Sequence, residues 1–136
     1  YKAKKGVIVV RVRVIRGGHK RMRPKKGRRT KRMHIRKNLK MNYRTIAENR
    51  ASRKYTNMEV LNSYLIGKDG IHYFFEVILI DRVAPEILSD KDLGPVVIGH
   101  KNRNLRGLTS SGRKSRGLRN PATKKPKIYP NIHNSY

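Results

Sequence analysis

The nine residues Gly107-Leu108-Thr109-Ser110-Ser111-Gly112-Arg113-Lys114-Ser115 come close to spelling a phosphate-binding P-loop. That motif ends Gly-Lys-Ser or Gly-Lys-Thr, because the loop amides and one lysine must converge on the phosphates. Here Arg113 is interposed and Lys114 falls one position late. No strand signal precedes the segment and no alternation of strands and helices surrounds it, so nucleotide hydrolysis is not the expected chemistry. The same parts serve a simpler one. Hydroxyls of Thr109 and Ser110, amides at a helix start and the cations Arg113, Lys114 and Arg116, with Arg103 and Arg106 upstream, can together hold an external phosphate.

Other reactive side chains are scattered. His19, His34, His72, His100 and His133 include no pair at metal-ligand spacing, so no metal centre is expected. Glu76 and Asp81 are the only acids near the apolar heart of the predicted sheet, where strand ends commonly carry such residues. No Ser-His-Asp arrangement emerges from the spacing. Catalysis has no support in the sequence, and neither a cofactor nor a small-molecule substrate is expected. The absence of cysteine excludes a disulfide scaffold, cysteine zinc fingers and thiol chemistry. No run approaches roughly 18 consecutive apolar residues, and no secretory signal pattern is visible. An intracellular protein without a membrane helix is therefore expected.

Charge is the dominant signal. The 136 residues carry 35 Lys and Arg against eight Asp and Glu, a formal charge of +27. Few enzymes need such a field, whereas a protein bound to a polyanion does. The distribution is more telling than the total. Residues 1–47 and 93–136 contain no acid at all, while residues 48–92 hold all eight: Glu48, Glu59, Asp69, Glu76, Asp81, Glu86, Asp90 and Asp92. A near-neutral centre, able to fold, is flanked by two cationic regions that repel themselves until counter-charge arrives. A merely solvated basic face would not produce blocks of this length.

The elements that must position these charges follow from periodicity. Val7 to Ile15 reads as a strand, with Val10, Val12 and Val14 alternating against Arg11 and Arg13, which point to solvent or to a ligand. Gly17-Gly18 ends it. From Arg16 to Lys40, 13 of 25 residues are Lys or Arg and none is aromatic, a composition that cannot offset its own ordering entropy. This is a long basic arm, expected to be mobile without its ligand. Fully extended it would span at most about 80–90 Å. Tyr43 to Tyr55 reads as a helix with Tyr43, Ile46, Ala47, Ala51 and Tyr55 on one face. Thr45-Ile46-Ala47-Glu48 has the form of a capping box, so regular helix is expected from Thr45, and Asn57 is a plausible stop. Glu59–Ile66 and Ile71–Ile80 read as a hairpin turned by Gly67-Lys68-Asp69-Gly70. Tyr73, Phe75, Val77 and Leu79 share one face of the second strand, and Phe74, Ile78 and Ile80 lie on the other, so cover is expected on both. Pro85 and Pro95 bracket a short helical segment, and Val96-Val97-Ile98 suits a short extra strand. No long internal repeat is present.

These elements assemble into an expected α+β fold: a small, mainly antiparallel sheet with helices packed on it, a long basic arm and an irregular basic C-terminal tail. The domain is expected over residues 1–99 with the arm inserted at 16–42, and residues 100–136 form the basic extension. The nucleic-acid-facing candidates are Arg11 and Arg13 on the strand; Arg16, His19, Lys20, Arg21, Arg23, Lys25, Lys26, Arg28, Arg29, Lys31, Arg32, His34 and Arg36 in the arm; and Arg103, Arg106, Thr109, Ser110, Arg113, Lys114 and Arg116 beyond it. Without aromatics the arm cannot stack on bases and must read phosphate positions and groove shape, as folded RNA requires. Charge alone is equally compatible with an architectural DNA-binding protein, since the counterion chemistry of the two polyanions is shared.

One further signal is a set of ordered blocks: Tyr1-Lys2-Ala3-Lys4-Lys5-Gly6, Arg16-Gly17-Gly18, Ala47-Glu48-Asn49-Arg50-Ala51, Val60-Leu61-Asn62-Ser63-Tyr64, Phe74-Phe75-Glu76-Val77-Ile78-Leu79-Ile80-Asp81, and residues 106–118. Together they resemble the archaeal and eukaryotic large-subunit ribosomal protein family L15e, over about residues 1–118. The resemblance implies a structural, non-enzymatic constituent of the large ribosomal subunit, in the cytoplasm. Its expected partners are large-subunit ribosomal RNA and neighbouring ribosomal proteins, with no membrane and no obligate homo-oligomer. It also implies an α+β fold whose basic segments thread between RNA helices, and RNA-facing roles for Arg16, Lys20, Arg21, Arg106, Arg113, Lys114 and Arg116. Against the family pattern, Lys5 stands for the usual Gln and Asn49 for an acid. Family members carry a further basic helical segment before the position of Tyr1, so the chain is expected to be cut within that motif. The tail after Leu118 is expected to match nothing in the family.

Overall fold

The computed structural model describes residues 3–20, 22, 25–28 and 36–119. In chain order the elements are β1 (Val7–Ile15), β2 (His19–Lys20), β3 (Arg36–Lys37), α1 (Tyr43–Lys54), β4 (Met58–Lys68) and β5 (His72–Asp81), followed by three short helices, α2 (Pro85–Leu88), α3 (Gly94–Ile98) and α4 (Ser110–Ser115). The fold is α+β. β1, β5 and β4 form an antiparallel sheet in that order, and β2 and β3 form a separate two-stranded ladder.

Alternation along β1 decides which side of the sheet becomes core. Val10 lies opposite Val77, Val12 opposite Phe75 and Val14 opposite Tyr73, and directly opposed residues share a face. Against this face packs α1. Val14, Ala47, Ala51, Met58, Val60, Phe75, Val77 and Leu79 form the main core, rimmed by Val10, Val12, Tyr43, Ile46, Tyr55 and Tyr73. Truncating a fully buried member such as Leu79 to Ala costs about 2–5 kcal/mol in comparable cores. Ile80, the next residue, points the other way and joins Ile87 and Val97 in a smaller cluster beneath α2 and α3, with Val7, Leu61, Ala84 and Leu93 around it.

Cover on the second face is therefore confined to one end of the sheet. Further along that face Arg11 lies opposite Glu76 and Arg13 opposite Phe74, and the Arg11 guanidinium sits 5.4 Å from the centroid of the Phe74 ring. The hairpin forms at the expected turn, with Asp69 Oδ1 accepting from the amides of Ile71, at 2.7 Å, and His72. Register shifts at Leu61 and Ile66 bulge β4, a feature without a sequence signal here.

Three sequence expectations need correction. Val96-Val97-Ile98 is not a strand but the end of α3, because Pro95 pre-sets helical φ at the first turn and removes a ladder donor. The cap of α1 is Asn42 rather than Thr45: its Oδ1 accepts from Thr45 N at 2.8 Å, and Glu48 does not reach back to complete a box. Finally, the helix ends at Lys54 with Tyr55 as cap, its N–H donating to Ala51 O, so Asn57 is not the stop.

Candidate nucleic-acid interface

The root of the arm is built by aromatic and glycine chemistry. Tyr43, at the start of α1, stacks on Tyr73 at 4.9 Å between centroids. Its hydroxyl accepts from Gly17 N at 2.8 Å and donates to Gly17 O at 3.1 Å. Gly17 holds φ +112, which other residues rarely adopt. Arg16 lies over the opposite partner of the stack, 5.3 Å from the Tyr73 centroid, and donates to Asp69 O at 3.0 Å. Just beyond, His19 pairs with Lys37 and Lys20 with Arg36. This ladder ties the outgoing and returning ends of the arm together. Lys25, Lys26 and Arg28 are exposed, as are Arg11, Arg13, Arg16 and His19. Arg21, Arg23, Arg29, Lys31, Arg32 and His34 lie outside the described residues, as do residues 120–136.

The second cationic segment is held on the core by buried polar bonds. Glu48, fully buried on α1, accepts from Ser63 Oγ at 2.5 Å and from Thr109 Oγ1 at 2.7 Å. Burial pushes its carboxyl pKa up, and the two hydroxyls, with Arg44 and Arg103 nearby, oppose that shift. Glu59 accepts from the amides of Asn102 and Arg103, at 2.9 and 3.2 Å. Asn104 Nδ2 donates to Asn49 Oδ1 at 2.9 Å. Thr45 and Ser111 join hydroxyls at 2.7 Å, and Ser111 Oγ donates to Asn42 Oδ1 at 2.8 Å. Thus the polar face of α1, which apolar spacing does not predict as buried, is where residues 102–115 attach.

That attachment sorts the candidate phosphate residues. Thr109 is 1% exposed, and its hydroxyl, donating to Glu48 and accepting from Gly112 N at 3.1 Å, faces inward as the cap of α4. Arg116 is also inward: 8% exposed, donating from Nη2 to Leu105 O at 2.5 Å and lying against Gly107. Both residues support the segment from within rather than presenting donors outward. Arg113 and Lys114 are exposed; Arg103, Arg106 and Ser110 are half-buried. Arg103 donates from Nε to Val60 O at 3.2 Å. Burial lowers the pKa of both Arg103 and Arg116; nearby Glu59 and Glu48 oppose this for Arg103, whereas nothing opposes it for Arg116.

Sequence reasoning missed three cations on the same surfaces. Arg50 is exposed and donates to Arg13 O at 3.1 Å, extending the charge of β1. Lys101 is exposed beside Arg106, and Arg119 donates to Ser110 Oγ. Arg50 was hidden because it belongs to the near-neutral centre, where regional averaging cancels it. Most carboxylates among the described residues, by contrast, are engaged internally. Lys4 pairs with Asp90 and Lys5 with Glu86, and Tyr64 donates to Glu76. Among the described residues no arginine forms an ion pair with a carboxylate.

A family model described as Ribosomal L15 matches residues 1–135. The chain belongs to this ribosomal protein family. Relatives named large ribosomal subunit protein eL15 bear out the assignment. The chain is 49% identical to that of Methanocorpusculum labreanum over 133 residues, covering 97% of this chain and 68% of the relative. It is 49% identical to that of Methanospirillum hungatei, with the same coverage, and 48% identical to that of Picrophilus torridus, covering 97% and 69%. The ribosomal L15 match overturns one sequence expectation: it continues past Leu118 through the basic tail, which therefore belongs to the family pattern. Ribosomal L15 proteins are structural and not enzymatic, so the near-P-loop at Gly107–Ser115 has no nucleotide-hydrolysing role to account for. Its glycines and hydroxyls serve the fold instead.

Proposed function

We propose that this chain is a structural constituent of the large ribosomal subunit that binds and stabilises folded ribosomal RNA through its arm and its C-terminal basic segment. Its place is the cytoplasmic ribosome, beside neighbouring ribosomal proteins. One observation carries the reading. The chain carries a formal surplus of +27, and among the described residues no arginine is ion-paired to a carboxylate. Unpaired guanidinium groups are the side chains best suited to bidentate phosphate contact. We read residues 1–99 as the folded domain with the arm inserted at 16–42, and residues 100–136 as an extension whose first part is bonded to α1 and β4.

The test is binding of the full chain to deproteinised large-subunit RNA over a salt series. Each phosphate contact contributes a log–log slope of about −0.7 to −0.9. A slope corresponding to several contacts, with protection of discrete RNA sites and weaker binding to duplex DNA at matched salt, is the expected result. Equal or stronger binding to any DNA duplex would replace this reading with that of an architectural DNA-binding protein.

A further inference from the structure

The two ends of the arm enclose an open cleft of about 460 Å³. Gly17 and Gly18 form the outgoing wall. Asn38, Leu39 and Met41 form the returning wall, and Asn42 and Tyr43 at the entrance to α1 close the back.

The lining is unusual for its location. It sits within the most cationic stretch of the chain, where 13 of the 25 residues from 16 to 40 are basic, yet no residue that lines it is charged. A phosphate would be drawn to the surrounding cations and not to this surface. The lining instead suits a flat, neutral group with apolar faces and a polar edge, carried on an anionic backbone. That description fits a nucleobase. We propose that the cleft receives one unstacked base of the bound RNA, an inference that rests on the RNA-binding reading above.

Each part of the cleft has a role in that recognition. Leu39 supplies dispersion contact to a base face, and Met41, whose thioether accepts from Asn49 Nδ2 at 3.8 Å, holds that wall against α1. Asn38 is exposed, and its carboxamide has no hydrogen-bond partner among the described residues, so it can donate to and accept from a base edge. The absence of side chains at Gly17 and Gly18 lets a ring approach the backbone closely. The walls are held in place before any ligand arrives. Tyr43 grips Gly17 through both N–H and C=O, its ring is stacked on Tyr73, and the β2–β3 ladder fixes the spacing of the walls on the arm side. The Asn42 amide is already engaged, with Oδ1 accepting from Thr45 N and Ser111 Oγ, so it frames the cleft and does not read the base. Bases splayed from single-stranded loops and bulges are the usual targets of sequence-specific RNA recognition. The cleft thereby adds a point of sequence choice to an arm that otherwise follows phosphates.

The experiment uses the full chain and deproteinised large-subunit RNA, comparing the unaltered protein with Leu39→Trp, which fills the cleft, and Asn38→Ala, which removes the free amide from an exposed position. Affinity is read over a salt series, and base reactivity is read by chemical probing of the RNA. Leu39→Trp is expected to lower affinity severalfold by excluding the base from its contact with Leu39, while leaving the salt slope unchanged. It should also restore reactivity at one base that the unaltered protein shields. Asn38→Ala is expected to weaken binding a few-fold in the same slope-preserving way. If both variants bind and protect as the unaltered chain does, the cleft is empty in the complex and the proposal falls while RNA binding stands. If the unaltered chain shows no salt-dependent RNA binding, the RNA reading itself fails and takes the cleft with it. Circular dichroism of both variants distinguishes a lost fold from a lost contact, and Asn38→Ala, remote from the core, decides the matter should Leu39→Trp misfold.

Discussion

At the scale of single residues, Glu48 is the most informative group in the protein. A fully buried carboxyl with no ion-paired arginine is retained because two hydroxyls, from β4 and from the cap of α4, donate to its two oxygens. Glu48→Ala leaves both hydroxyls without that acceptor, and the expected loss is about 1–3 kcal/mol, measured by urea unfolding. Its pH dependence has a definite sign. Burial raises the folded pKa above the usual 4.5, so the folded protein holds the proton more tightly than the unfolded chain. The contribution is fully present below pH 4.5 and declines as pH rises through the raised value. Glu48→Gln, which cannot ionise, should flatten that part of the stability profile; an unchanged profile would show that another group is responsible. Asp90 behaves oppositely. The Lys4 ammonium, with the amides of Leu93 and Asp92, holds its pKa down to about 2, so its small exposed contribution is present above the usual carboxylate range and lost as pH falls toward that value.

At the scale of elements, the segment from Asn102 to Leu118 is a strap tightened by Gly107 and Arg116. Gly107 has φ +72, and a Cβ there would lie 2.7 Å from Arg116 Cδ. Gly107→Ala therefore meets both backbone strain and displacement of a buried arginine, and a loss of about 1–3 kcal/mol is expected. The same variant should increase amide exchange across residues 102–118 while leaving β1 and β5 protected, since their ladder and apolar core include neither Gly107 nor Arg116. If exchange rises equally everywhere, the strap is not a separate cooperative unit. This element also marks the limit of periodicity. The apolar spacing of β1, α1 and β5 reported their existence and inner faces, because burial of Val, Leu and Phe depends on where each lies along its own element. The inward turn of Thr45, Glu48, Asn49, Thr109 and Arg116 did not register, because a polar group is buried only when a partner from a distant part of the chain arrives to bond it.

At the scale of the whole molecule, +27 on 136 residues acts on folding and binding in opposite directions. Self-repulsion among exposed cations opposes the compact state, and salt screens it over a Debye length of about 10 Å at 0.1 M. Raising salt should therefore raise the thermal midpoint of the free chain while weakening its hold on RNA. Parallel melting and binding series across the same salt range test this, and a midpoint that falls with salt would contradict it. The amino-acid sequence by itself determined the class of fold, the segregation of charge and the ribosomal family, because these depend on composition, local periodicity and contiguous blocks of residues. Only the tertiary structure decided which cations face outward, that Asn42 and not Thr45 caps α1, that Val96–Ile98 is helical, and that the arm's ends meet around an uncharged cleft. The Asn42 cap and the helical Val96–Ile98 follow from the neighbouring Thr45 amide and Pro95, whereas the outward cations and the cleft are fixed by groups far apart in the chain: Tyr43 to Gly17 and Thr109 to Glu48. Such encounters have no period to read along the sequence.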